Sequence, residues 1–260
     1  MKSDHRARLV RRRTFAPGVF SVTFGAPGLA RAVLPGQFVM LEVPGLIRPY
    51  LRRAYSVADA SGSEVEFLVK TVGAGTAALE NLPEGAEVGL LGPLGNAFSF
   101  ADLPRGTRVA IVAGGIGAAP FPLLLRALGA AHVTADVFLG GRNARELSIR
   151  DRFAGLGTGE LILASDDGSL GLRGFVTEAF VERVDAGERY VRLYACGPMP
   201  LFAALAPLAA ARGVPAEFST EAAMGCGFGA CLGCVIPGTE KAFIVSCTEG
   251  PILAPEKVRW

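Results

Sequence analysis

The chain has 260 residues, 50% hydrophobic and 19% charged, with 34 Gly, 17 Pro and a net charge of +2 from 26 Lys+Arg against 24 Asp+Glu. The apolar content excludes a disordered chain, the balanced charge gives no basis for nucleic-acid binding, and the length suffices for a large packed core. Mean hydropathy is +0.39, but the apolar stretch Ile111–Leu125 is fifteen residues long and broken by three Gly and two Pro, short of the about 20 residues a spanning helix needs.

The start, Met1–Arg13, is basic but runs into Thr14-Phe15-Ala16-Pro17 rather than an apolar leader core, so the expected location is the cytoplasm, with no membrane span. Arg6, Arg8, Arg11, Arg12 and Arg13 read as the solvated face of a strand. Short β-rich runs follow at Val19–Phe24, Gln37–Val43, Ala54–Ala58, Val65–Thr71 and Val88–Leu91, punctuated by Pro35-Gly36, Ser61-Gly62 and Glu84-Gly85. That rhythm predicts an antiparallel β-barrel over residues 1–100, with Gly75–Leu82 its one short helix. Within it, Arg53-Ala54-Tyr55-Ser56 places a cation, an aromatic ring and a hydroxyl on one extended strand, Arg53 and Tyr55 on the same face. A flavin calls for such partners, though Tyr55 taken alone is better read as a half-buried barrel aromatic. Lys70-x2-Gly73-Ala74-Gly75-Thr76 then opens the short helix in a way that suits a phosphate.

After Pro104 the texture changes. Arg108–Ala113 is a continuous apolar strand, as expected where both faces of a parallel sheet are covered. Helix follows through Leu128, then strands at Val133–Leu139, Leu161–Ala164 and Val191–Ala195 and helices near Gly174–Arg183 and Pro200–Ala211. This alternation predicts a doubly wound α/β domain over residues 101–212. Ala113-Gly114-Gly115-Ile116-Gly117-Ala118-Ala119-Pro120 forms its first strand–helix turn, where glycines let a phosphate-bearing ligand approach the backbone. An empty tight turn has a similar sequence. Ala195-Cys196-Gly197-Pro198-Met199 ends a later strand and could face the same crevice. Arg142 and Arg145 follow the strand ending at Leu139 and are candidates for a coenzyme 2′-phosphate.

Residues 213–260 lose that rhythm and carry Gly and Cys, which predicts a small module organised by a metal centre rather than by a hydrophobic core. Five cysteines, an odd number crowded near the C-terminus, do not resemble a disulfide framework. Cys226-x4-Cys231-x2-Cys234, then twelve residues and Cys247, is the plant-type spacing for a 2Fe–2S cluster. Gly225, Gly227, Gly229 and Ala230 let the loop wrap closely and aim N–H groups at sulfur. A four-cysteine zinc site is the alternative, although zinc usually sits between two short C-x2-4-C knuckles. His5 and His132 are the only histidines, and no acid–base triad is visible.

Arg53-x-Tyr55-Ser56, Gly75-Thr76, Gly114-Gly115-x-Gly117 and Cys196-Gly197-Pro198 occur in the order of the ferredoxin–NADP reductase superfamily, which the chain resembles up to about Arg212. Ser219–Cys231, with Gly92-Pro93-Leu94-Gly95-Asn96-Ala97-Phe98 and Asp166-Asp167-Gly168-Ser169, resembles the electron-transfer subunits of dihydroorotate dehydrogenase B. Ala54-Tyr55 is closer to the wider superfamily, where the narrower family often has Pro and an aliphatic residue. The resemblance implies an FAD barrel, an NAD domain and a 2Fe–2S module, with NAD(H) a diffusible co-substrate. It implies FAD contacts at Arg53, Tyr55, Ser56, Lys70, Gly75 and Thr76, and nucleotide contacts at Gly115 and Gly117. Ser56 and Cys196 would stand at the reacting centre, and Cys226, Cys231, Cys234 and Cys247 would hold the cluster. It further implies an FMN-containing dihydroorotate dehydrogenase partner in a heterotetramer of two plus two, serving pyrimidine biosynthesis. A ferredoxin or sulfide reductase subunit, or a scaffold with a zinc or vestigial site, are the alternatives. Trp260, the last residue, is expected to pack against the barrel or a partner.

Overall fold

The structure, a computed structural model, describes residues 2–42, 51–156 and 158–260. The first sheet comprises β1 (Ser3–Ala16), β2 (Val19–Gly25), β3 (Phe38–Glu42), β4 (Arg53–Ser56), β5 (Asp59–Ser61), β6 (Glu64–Lys70) and β7 (Glu87–Leu94). It is antiparallel in the order β4-β3-β7-β1-β2-β6-β5 and curls into a half-barrel. Val57 N–H donates to Gln37 O and Ala58 N–H to Glu66 O, so the link after β4 bridges towards both ends of the sheet. The expected strand Gln37–Val43 begins one residue later, and Val43 lies outside the described residues.

Alternation decides which side of β1 faces water. Ala7 and Leu9 are buried while Arg6, Arg8, Arg11 and Arg13 are exposed, and Arg8 pairs with Glu87 at 2.9 Å. The inward residues join Phe20, Val22, Phe24, Leu41 and Phe67 in one core, where each fully buried Phe or Leu contributes about 1.5–3 kcal/mol. Two helices belong to this half, α1 (Pro27–Ala32) and α2 (Ala74–Glu80). The sequence reading has only the second. The segment Gly25-Ala26-Pro27-Gly28 reads as a turn, yet Pro27 sits at the first helical position, where its missing N–H costs nothing, and Leu29 is fully buried.

The second sheet comprises β8 (Arg108–Gly114), β9 (Thr134–Gly141), β10 (Thr158–Ser165), β11 (Leu172–Arg173), β12 (Leu193–Cys196), β13 (Ala216–Ser219) and, after a hairpin of β14 (Val235–Pro237) and β15 (Phe243–Val245), β16 (Ile252–Leu253). Its order is β11-β10-β9-β8-β12-β13-β16, all parallel except for β16. The helices α3 (Phe121–Ala130), α4 (Val176–Asp185) and α5 (Met199–Ala211) lie between its strands in sequence, and a short α6 (Ser246–Glu249) lies in the tail. Val109, Ile111 and Ala113 of β8 point into one core with Phe121 and Leu125. Ala110 and Val112 point into the other with Phe138, Phe180 and Phe202. Burial on both faces explains why β8 reads as an unbroken apolar run. The order reverses between β8 and β12, and such a switch point leaves a crevice at the carboxyl ends of the strands.

The tail corrects two expectations. Residues 213–260 do have apolar packing, with Ile236, Ile244, Leu253 and Val258 buried together, and β13 and β16 extend the parallel sheet. The pattern is hidden in sequence because these strands are two to four residues long. Trp260 packs not on the barrel but on the nucleotide half, with ring centroids 5.0 Å from Phe202 and 5.5 Å from Phe218, and its indole N–H donates to Pro255 O.

The motif Gly92–Phe98 joins the parts. Asn96 exchanges hydrogen bonds with Ile252 N–H and O at 2.9 and 2.8 Å. Phe98 stacks on Phe121 at 5.7 Å and meets Tyr194 edge-on at 5.3 Å. Across the same junction Leu123 N–H donates to Ala58 O at 2.7 Å, and Arg126 Nε bonds both carboxylate oxygens of the buried Asp59 at 2.9 Å. Arg152 reaches Asp59 as well, and donates to Glu66 at 2.7 Å. Among the described residues no helix is long and apolar enough to cross a membrane.

Candidate functional site

The half-barrel and the parallel sheet enclose two adjoining cavities. The first, about 530 Å³, is lined by Arg53, Ala54, Tyr55 and Ser56 of β4, by Lys70 and Val72–Thr76, and by Ser219–Ala222 and Met224 from the far end of the chain. All six residues proposed for FAD line it. Tyr55 meets Phe67 edge-on at 6.3 Å, and burial raises its hydroxyl pKa to about 12. That hydroxyl oxygen is fully buried and has no hydrogen-bond partner, an orphan that costs about 1–3 kcal/mol unless a ligand satisfies it. The Arg53 guanidinium rests on the carbonyls of Leu51 and Arg52 and has no carboxylate partner among the described residues. A diphosphate-bearing flavin fits this donor set. Thr76 has another duty too, since its hydroxyl accepts from Val72 N–H and Gly73 N–H at 2.9 and 3.1 Å and holds the loop that opens α2.

The second cavity, about 630 Å³, lies at the switch point and is lined by Gly114–Gly117, Gly140–Arg142, Glu146, Asp166, Phe175–Thr177, Gly197 and Pro198. Lys70, Ile116 and Glu221 line both cavities. The two glycines proposed here do different work. Gly115 has φ +54°, a left-handed conformation that favours glycine, and an added Cβ would have only Glu146 nearby, at 3.7 Å. Gly117 is buried, and an added Cβ would stand 2.6 Å from Cys196 O and 2.7 Å from Gly197 Cα. Both neighbours are backbone, so they cannot rotate away. The Gly117→Ala variant is expected to weaken nicotinamide nucleotide binding by about tenfold, because forcing the turns apart costs about 1–3 kcal/mol. Gly129→Ala, in open space on α3, should leave binding unchanged in the same titration.

Cys196 is where the sequence places it, at the end of β12, but the residue is 2% exposed, sits in the core beneath the crevice and lines neither cavity. Burial pushes the thiol pKa far up, with the Glu221 charge acting in the same direction. The structure thus corrects the expectation of a thiol facing the nicotinamide: Cys196 presents its carbonyl to Gly117 instead.

Glu221 is the residue that the sequence reading misses. No local spacing marks it. It reaches the shared wall because β13 ends two residues earlier, and the walls of both cavities crowd its carboxyl and hold it above the ordinary carboxylate range by desolvation. Lys70 donates to Glu146 at 2.7 Å, and Arg142 donates to the same oxygen through Nε and Nη2 at 2.9 and 2.6 Å. Burial alone would raise the Glu146 carboxyl, but the bonds from Arg142 and Lys70 outweigh it and bring the pKa down to about 2 from 4.5. A carboxylate depressed in the folded state stabilises the fold above its unfolded value and ceases to do so as pH falls through its folded one. The melting-temperature advantage of the parent over Glu146→Gln is therefore expected to be full above about pH 4.5 and to vanish towards pH 2.

The four remaining cysteines lie on the loop before β14 and on α6. They associate as two pairs: Cys231 N–H donates to Cys226 Sγ, and Cys247 N–H to Cys234 Sγ, both at 3.4 Å. Burial opposes ionisation of Cys226, but the N–H groups of Phe228, Cys231 and Ala230 prevail and lower its thiol to about 6. Leu232, between two of the cysteines, has φ +55°, a conformation a branched side chain seldom adopts and one that loops keep at functional sites. Two thiolate pairs wrapped by N–H donors fit a two-iron core. Gly227, at φ +82°, lets this loop press on Met40 of β3. Cys234 and Cys247 pack with Phe38, Met40 and Leu94, beside Met224, and Phe38 and Met224 also line the first cavity.

A family model described as the iron–sulfur cluster binding domain of dihydroorotate dehydrogenase B matches residues 221–259, and one described as an oxidoreductase FAD-binding domain matches residues 7–98. The chain is 36% identical over 250 residues to a dihydroorotate dehydrogenase B (NAD(+)) electron transfer subunit from Desulforamulus reducens, covering 94% of each chain. It is 35% identical over 262 residues to the like-named protein of Geobacillus thermodenitrificans, covering 99% of each. Among solved structures, an NADH-dependent reduced ferredoxin-NADP oxidoreductase superposes with a TM-score of 0.86 at 28% identity, over 98% of this chain and 90% of that one.

Proposed function

Since the chain belongs to the electron-transfer subunits of dihydroorotate dehydrogenase B, we propose that it carries electrons between an FMN-containing catalytic subunit, which oxidises dihydroorotate to orotate in pyrimidine biosynthesis, and NAD. It is an FAD- and iron–sulfur-dependent oxidoreductase subunit. The observation that carries the proposal is spatial. One cavity suited to a flavin shares Ile116, Lys70 and Glu221 with a nucleotide crevice and, on its other side, shares Phe38 and Met224 with the packing around two cluster cysteines.

Bound FAD and a 2Fe–2S cluster supply the conversion between hydride transfer and single-electron relay; the protein supplies position and field. Arg53 holds the flavin diphosphate, Tyr55 directs its hydroxyl to the ligand, and Ser56, Gly75 and Thr76 shape the wall. Lys70, fixed by Glu146, presents positive charge where the two ligands meet. Gly115 and Gly117 admit the nucleotide, Glu221 excludes water from the junction, and Cys196 positions the turn from beneath. Cys226, Cys231, Cys234 and Cys247 hold the cluster. Residues 1–100, 101–212 and 213–260 correspond to the FAD, NAD and cluster units, with β13 and β16 of the last lent to the NAD sheet.

The partner docks on the cluster face, where Phe228, Leu232 and Phe243 are 46%, 62% and 59% exposed. Two copies of each subunit assemble in this reading. Co-expression with an FMN-containing dihydroorotate dehydrogenase, followed by mass measurement in solution, is expected to give a two-plus-two complex that reduces NAD with dihydroorotate. Separate elution of the two chains and no orotate formation linked to NAD would contradict it. The likeness to the ferredoxin-NADP oxidoreductase favours a second reading, a ferredoxin-linked subunit, for which reduced ferredoxin rather than dihydroorotate would drive NAD reduction.

A further inference from the structure

The nucleotide crevice crosses the carboxyl ends of five neighbouring strands in the order β13, β12, β8, β9, β10, from Glu221 past Gly197, Gly115 and Arg142 to Asp166. Strands lie about 4.8 Å apart, so those four steps span about 19 Å, enough for a dinucleotide laid across them. The flavin cavity adjoins this crevice at Glu221 after β13, at Ile116 after β8 and at Lys70, whereas Asp166 at the β10 end lines the crevice alone. A nicotinamide that reaches the flavin therefore leaves the adenosine half at the β10 end, beside Asp166.

Of the charged side chains that line that end of the crevice, Arg142 and Glu146 pair with each other and Asp166 is left without a partner among the described residues, while Arg173 on the neighbouring β11 does not line it. Arg142 spends Nε and Nη2 on Glu146. Arg145 donates Nε to Pro17 O at 2.9 Å. The Asp167 carboxylate accepts from Ser169 N–H at 2.9 Å. Asp166 is fixed only through its backbone, whose N–H donates to Gly141 O at 3.1 Å, and its exposed side chain lines the crevice. Both arginines that the sequence offers for a 2′-phosphate are thus engaged, and a carboxylate faces the place where that phosphate would sit.

We propose that Asp166 selects the coenzyme: its carboxylate accepts a hydrogen bond from the adenosine ribose 2′-hydroxyl of NAD(H) and repels the 2′-phosphate of NADP(H). This rests on the NAD-linked reading above and names the residue that enforces it. A ribose hydroxyl can donate to a carboxylate, whereas a phosphate offers only like charge at short range.

The test is calorimetric binding of ADP-ribose and of 2′-phospho-ADP-ribose to the flavin- and iron-loaded chain, with the parent, Asp166→Ser and Asp167→Ser. The parent is expected to prefer ADP-ribose by at least about tenfold, and Asp166→Ser to reduce that preference by fivefold or more. Asp167→Ser is expected to change it by less than Asp166→Ser does. A change below fivefold in Asp166→Ser, or an equal change in Asp167→Ser, overturns the proposal. A parent chain that binds both compounds equally overturns Asp166 as selector and leaves the NAD-linked reading standing. A parent that binds neither overturns that reading, and the proposal with it.

Discussion

The Cys231→Ser variant is expected to lose dihydroorotate-driven NAD reduction by about 100-fold or more while it reduces a small dye from NADH at near the parent rate. The asymmetry follows from where Cys231 stands. It is exposed at the rim of the glycine loop, its N–H holds Cys226 Sγ, and it lines neither cavity. Loss of an outer-shell partner already costs metal sites 10–100-fold, and loss of a ligand costs at least as much. Nothing in the substitution reaches Arg53, Tyr55 or Glu221, so the nucleotide-to-flavin half is untouched. Steady-state assays with the two acceptors, run on one preparation, separate the halves. Equal loss in both assays would mean that the cluster segment is structural, and no loss in either would remove Cys231 from the relay.

The second large effect concerns stability. Asp59→Ala is expected to destabilise the fold by about 3 kcal/mol, because it removes one of the two carboxylates that sustain the buried Arg152. Asp59 is 5% exposed. Arg152, whose side chain is 14% exposed, approaches both Asp59 and Glu66, and burial works against its charge while those carboxylates sustain it. For a chain of this size the loss corresponds to a fall of roughly 10 °C in melting temperature. Arg126→Ala removes the other arm of the cluster, but that side chain is 49% exposed, and the cost should be no more than about 1 kcal/mol. Calorimetric melts of the two variants test the difference. Equal shifts would show that burial does not set the strength of this junction. The cluster joins β5 and β6 to α3 and the turn after Arg145, so Asp59→Ala should also slow flavin reduction by NADH more than dye reduction by the reduced flavin.

How far the sequence reaches depends on whether a feature is local. Arg53–Ser56 and the Gly114–Gly117 turn are contiguous and line the two cavities, and the four cysteines fall within one short segment near the C-terminus. The half-barrel and the doubly wound sheet are also legible, since turns recur every few residues in one and β8 is apolar on both faces in the other. What escapes involves distant partners. Arg142 and Arg145 look free in sequence and are engaged by Glu146 and by Pro17, 128 residues away. Glu221 is an ordinary acid until β13 carries it to the wall shared by two cavities. Cys196 is a plausible thiol at a strand end until the strand's pleat turns its side chain into the core. The short α1 fails for another reason, because Pro27-Gly28 signals a turn as strongly as a helix start.

The central claim is that this one chain connects a flavin and a cluster to NADH. An anaerobic titration of the purified, cofactor-loaded chain with NADH, followed by absorbance, tests it most directly. The account predicts an uptake of about three electrons per chain, two at the flavin and one at the cluster, with both bands bleached. An uptake of two electrons with the iron–sulfur absorbance unchanged would contradict it, as would a colourless protein carrying one zinc ion.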